Sequence, residues 1–113
     1  MAALNLVVIR SADIERAVSF YSCLGLIFEK QRHGAGPQHY ASERNGCVFE
    51  IYPLIKPEAS TSTVRLGFSV ASLTATLQAL AALPGHNCDA KQSSPGHAVV
   101  TDPDGHRVEL TES

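Results

Sequence analysis

No apolar run in the chain approaches the roughly 20 residues needed to cross a bilayer, so no membrane partner is expected. Surplus positive charge is missing too. Nine Lys and Arg stand against eleven Asp and Glu, a formal charge of −2, whereas binding a phosphate backbone calls for a basic excess. Nucleic acid is therefore excluded as a partner. Cysteine is scarce: Cys23, Cys47 and Cys88 are an odd set without Cys-x-x-Cys spacing, which argues against a disulfide framework and against a zinc knuckle. Cys23 is expected to close a helix as a small apolar residue. There is no Gly-x-Ser-x-Gly elbow, no His-x-His and no His-Glu-x-x-His, so the common nucleophile and zinc motifs are absent. His33-Gly-Ala-Gly-Pro37 has glycines but no strand-to-helix context and reads as a turn, not a phosphate cradle. The N-terminal apolar run is short, with no basic segment before it, and reads as a first strand instead of a targeting signal. Cytoplasmic location is the default expectation.

What is present is a pattern written twice. A chain of 113 residues, 44% of them apolar, is long enough for one domain with a core and too short for two, so a duplication must lie within the domain. At an offset of 59, Gly46 falls on Gly105, Glu50 on Glu109 and Ile51 on Leu110. The same shift sets Asn45-Gly46 on Asp104-Gly105, two dipeptides suited to tight hairpin turns. Each copy opens with a strand, residues 4–10 and 63–70, followed by a capping residue, Asp13 or Ser72. Ile14, Ala17, Val18, Tyr21 and Leu24 then recur at helical spacing, as do Leu73, Leu77, Leu80 and Leu83. Gly25 and Pro84-Gly85 end these helices. Further strands are expected over residues 26–31, 38–43 and 47–53, and again over 88–92, 97–101 and 106–111. This predicts an α+β fold of two βαβββ modules, residues 1–54 and 63–113, joined by a linker over 55–62. The modules should form an open, barrel-like mixed sheet with helices on its outer face.

Strand alternation sorts the side chains. Val7, Ile9, Phe49, Ile51, Leu66, Phe68, Val108 and Leu110 belong under the helices. The opposite face receives Leu6, Val8, Arg10, Val48, Glu50 and Tyr52 from one copy, and Arg65, Gly67, Ser69, Arg107, Glu109 and Thr111 from the other. Small residues beside charged ones leave room for a ligand on a curved sheet. Of the five histidines, His39 and His97 on the third strands are the two placed to approach that face. His33, His86 and His106 lie in or next to turns and are expected at the surface.

Two segments resemble the vicinal oxygen chelate superfamily, which includes glyoxalase I, bleomycin-resistance proteins, fosfomycin-resistance proteins and extradiol dioxygenases. They are Ser11-Ala-Asp-Ile-Glu-Arg-Ala-Val-Ser-Phe-Tyr-Ser-Cys-Leu-Gly25 and Asp102-Pro-Asp-Gly-His-Arg-Val-Glu-Leu110. The resemblance implies a ligand in the concavity and a metal held, in metal-using members, from the first and fourth strands of each module. Those positions are Leu6, Glu50, Arg65 and Glu109. Glu50 and Glu109 fit that pattern. Leucine offers no donor and arginine stays protonated, so no metal or other cofactor is favoured, and Glu50 and Glu109 are the ligands if a divalent ion does bind.

Three functions follow as expectations. The first is a metal-independent small-molecule-binding protein of the bleomycin-resistance type. In it Arg65 partners one or both glutamates and meets an anionic ligand such as a carboxylate or phosphonate, with Arg10, Tyr52, Ser69 and Arg107 as further donors. The second is a glyoxalase-like lyase or isomerase with Glu50 or Glu109 as catalytic base. The third is a dimeric accessory module with a vestigial cleft. A homodimer is expected in each case, with the modules paired either within one chain or across two.

Overall fold

The structure is a computed structural model that describes residues 1–85 and 88–113; the turn expected at His86 lies outside the described residues. Its first half runs β1 (Leu6–Ser11), α1 (Ile14–Ser22), β2 (Glu29–Gln31), β3 (His39–Arg44) and β4 (Cys47–Pro53). A 3-10 turn, Pro57–Ala59, sits in the connecting segment. The second half runs β5 (Arg65–Val70), α2 (Leu73–Ala81), β6 (Lys91–Ser94), β7 (His97–Thr101) and β8 (Arg107–Glu112). The strands make two four-stranded mixed sheets, ordered β1-β4-β3-β2 and β5-β8-β7-β6. Each has one parallel pair, joined through its helix, and two antiparallel pairs. The α+β fold and the paired modules are as the sequence predicts. The sheets stay separate and do not close into a barrel.

Local chemistry accounts for the elements. The Asp13 carboxylate accepts from Arg16 N at 3.2 Å and the Ser72 hydroxyl from Ala75 N at 3.1 Å, so both helices start on the expected caps. Asn45 and Gly46 both take positive φ, 52° and 80°, the conformation that a two-residue hairpin turn needs. One buried cluster serves both halves, and includes Ile9, Phe20, Tyr21 and Ile51 from the first and Leu80, Val100, Val108 and Leu110 from the second.

Three expectations are corrected. The second strand begins at Glu29, not Leu26, because Leu26 and Phe28 turn into the core. In the second copy the matching strand is Lys91–Ser94 instead of residues 88–92, with a bulge between Gln92 and Ser94. Cys88 is buried and its carbonyl already accepts from Thr101 N. The repeat also slips by one residue on the third strand. His39 pairs with Tyr52 in extending the β3–β4 register, as His97 pairs with Thr111, so the structural counterparts on β3 and β7 lie 58 apart, because the second hairpin turn carries one extra residue.

Candidate functional site

Glu50 sits on β4 opposite Val8 of β1 and Ala41 of β3. It is half-buried because β3 delivers His39 beside it: His39 Nε2 lies 3.7 Å from Glu50 Oε2, and the imidazole is 1% exposed. His39 Nδ1 is 3.3 Å from the Pro37 carbonyl, which fixes Nδ1 as the donor and leaves Nε2 without a hydrogen-bond partner. Tyr52 stacks on His39, with ring centroids 4.1 Å apart and planes 9° from parallel. The Arg10 guanidinium covers the Tyr52 ring at 5.1 Å, a cation–π geometry, and His33 flanks His39 at 5.1 Å. Arg10, Tyr52, His39 and Glu50 therefore form one column on the face of the first sheet opposite its core side chains Ile9, Phe49 and Ile51.

On the second sheet the Arg65 guanidinium donates to Glu109. Both side chains are largely exposed, 60% and 40%, so the pair contributes at most about 1 kcal/mol. Arg107 lies beside Arg65 in the β5–β8 register, and Ser69 is exposed two residues beyond Gly67. Among the described residues no ion pair links Arg65 to Glu50. The two glutamates thus have different partners, a buried imidazole for Glu50 and an exposed guanidinium for Glu109.

A metal fits this donor set poorly. Leu6 is half-exposed with no donor atom, Arg65 is a permanent cation bound to Glu109, and among the described residues no three His, Cys, Asp or Glu side chains converge. No step of chemistry is routed through one.

A second polar cluster escaped the sequence reading. Tyr21 OH donates to Asp102 Oδ2 at 2.6 Å, and His106 Nδ1 approaches the same oxygen at 2.8 Å, off the axis of a straight hydrogen bond. His106 Nε2 lies 2.7 Å from Thr61 Oγ1, which also accepts from Arg10 N. Asp102 Oδ1 accepts from the backbone N of Asp104 and of His106. His106, expected at the surface, is fully buried, with Thr61 bonded at Nε2 and the Asp102 carboxylate against Nδ1. Burial would push the Asp102 carboxyl up, but hydrogen bonds from His106 and Tyr21 outweigh it and hold the group below the usual carboxylate range. Burial foremost, then the Asp102 charge, pushes the Tyr21 phenol far up, so it remains a donor. The cluster ties the first helix, the linker and the last hairpin together. The sequence carries one clue to it: Tyr21 stands where the other helix has Leu80.

No curated protein matches the chain. Among solved structures, an antibiotic-binding protein from a Streptomyces species superposes with a TM-score of 0.68 at 20% identity, over 99% of this chain and 96% of its own. A glyoxalase/bleomycin resistance protein from Catenulispora acidiphila gives a TM-score of 0.65 at 22% identity, covering 98% and 99% of the two chains. One described as a putative glyoxalase family protein, from Bacillus anthracis, gives 0.65 at 18% identity, covering 100% and 96%. At these identities the likeness is one of fold. The model of the glyoxalase-like domain matches residues 6–111, and with nearly the whole length accounted for, the chain belongs to the glyoxalase-like domain family.

Proposed function

We propose that the protein binds a small organic molecule on the concave face of its sheets and needs no metal to do so. The observation that carries this reading is the Arg10–Tyr52–His39 column beside half-buried Glu50. The Arg10 guanidinium over Tyr52, next to the partly exposed Glu50 carboxylate, suits a planar ligand bearing a hydrogen-bond donor. Arg65, Ser69, Arg107 and Glu109, on β5 and β8 of the second sheet, would receive an anionic substituent. The antibiotic-binding relative in fold supports sequestration as the role. A homodimer would enclose this face; the exposed side chains of Leu4, just before β1, and Leu6 at its start support that assembly. A cytoplasmic location accords with the reading, and among the described residues no helix is long and apolar enough to cross a membrane.

Ligand-observed NMR against a library of planar heteroaromatic amines and amides tests the proposal. Hits should be lost in both Tyr52→Ala and Glu50→Gln, each of which keeps the native melting transition. Hits that persist in both variants, or a library without hits, would overturn it.

A further inference from the structure

The two halves meet along two seams related by the internal repeat, and the seams differ. At one, the β7–β8 turn is latched: Asp102 takes the Tyr21 hydroxyl, and Asp104 Oδ1 accepts from Ala12 N at 2.8 Å. The repeat maps Tyr21 to Leu80, Ala12 to Ala71 and Asp104 to Asn45, while the third-strand register maps Asp102 to Arg44. None of the latch chemistry survives that mapping. Among the described residues Arg44 makes no ion pair and Ala71 N has no hydrogen-bond acceptor. The second seam stands open as a groove of about 680 Å³.

From this asymmetry we infer that the open seam is a second ligand site, which takes an apolar ring system carrying a carboxylate or sulfonate. The volume lies within the range of small-molecule sites. Phe49 and Phe68, edge to face with centroids 5.6 Å apart, and Leu24 line its apolar part. Arg44 and Ala71 border the same groove. Glu43 also borders it, but it pairs with Val48 and so belongs by alternation to the opposite face of β3. The latched seam shows what completes such a seam: a carboxylate on the backbone N–H that follows the strand, supplied there by Asp104. At the open seam the equivalent N–H is Ala71 N, and the free Arg44 guanidinium adds the positive charge that selects an anion. Apart from Ser69, which also borders the groove, the site uses none of the side chains of the proposed function: Arg44 and Phe49 lie on the helix side of β3 and β4, whereas Glu50 and Tyr52 lie on the opposite side, and different variants test the two proposals.

The test uses two fluorescent probes, 8-anilinonaphthalene-1-sulfonate and its uncharged analogue N-phenyl-1-naphthylamine, titrated against the folded full chain. The sulfonate should bind once per chain and more tightly than the neutral probe. Arg44→Gln should weaken the sulfonate about tenfold and change the neutral probe less than twofold. Ala71→Trp, at an exposed position beyond the end of β5, should abolish binding of both, and Glu50→Gln should alter neither. Absence of sulfonate binding, equal binding of the two probes to wild type, or binding unchanged in Ala71→Trp with a native melt would overturn the inference. A second copy of the chain seated in the groove would appear as a dimer by light scattering that excludes the sulfonate, and that result also rejects it.

Discussion

Asp102→Ala should lower the free energy of unfolding by about 3–5 kcal/mol, because several buried donors lose one shared acceptor at about 1–3 kcal/mol each. The substitution strips the Tyr21 hydroxyl, the His106 ring and two backbone N–H groups of their shared acceptor at once. The Tyr21 hydroxyl and the His106 ring and N–H stay buried, Asp104 N only partly so, and an orphaned buried polar group costs more than its hydrogen bond contributed. Natural domains have only about 5–15 kcal/mol in total, so the variant should unfold at far lower urea. The effect also carries a pH signature. Because the folded carboxyl lies below its unfolded value near 3.8, the unfolded chain takes up the proton first as pH falls. The stabilisation is therefore complete above that value and is lost as pH drops through the folded pKa. Urea midpoints should show a wide gap between wild type and Asp102→Asn at pH 6 and a narrower one at pH 3. A constant gap would mean that the carboxylate charge does not hold this hairpin.

Phe49→Ala should cost about 3–5 kcal/mol, the range for truncating a buried phenylalanine. Its ring is met by Tyr21 at 5.1 Å, Phe68 at 5.6 Å and Phe28 at 6.4 Å. Tyr21 comes from α1 and Phe68 from β5, so this group of rings spans the two halves as well as filling a core. Edge-to-face contacts add to the area buried. Chemical denaturation should report the full loss in one cooperative transition, since both sheets depend on the same rings. A loss below about 1.5 kcal/mol, small for a buried aromatic, or two separated transitions would show that the halves are stabilised independently.

The duplication was legible because its signals are local. Caps at Asp13 and Ser72, turns at Asn45-Gly46 and Asp104-Gly105, and apolar spacing along both helices each follow from neighbouring residues. The strand face that carries Arg10, Glu50 and Tyr52 followed from alternation for the same reason. Harder to see was which residues would meet across distance. Tyr21 and Asp102 are 81 positions apart, and Thr61 and His106 are 45 apart, with nothing in either local pattern to pair them. His106 next to a glycine turn looked exposed, since its partners come from α1, the linker and the hairpin itself. The constant offset of 59 concealed a further relation. One added residue in the second turn shifts the third strand, so that His39 and His97 occupy equivalent positions beside Glu50 and Glu109. Burial then separates the equivalents: His39 is enclosed while His97 is partly exposed. Charge leaves Arg65 open to one or both glutamates; the sheets position it for Glu109, and Glu50 gains the imidazole.

On the proposed reading the face that carries Glu50 binds its ligand without a metal, since Leu6 and Arg65 occupy two of the positions from which the family resemblance implies one would be held. Calorimetric titration of metal-stripped protein with Zn²⁺, Ni²⁺ and Mn²⁺ measures this directly. The account predicts no stoichiometric binding by the wild-type chain. One ion bound per site, with that binding lost in Glu50→Gln, would contradict it.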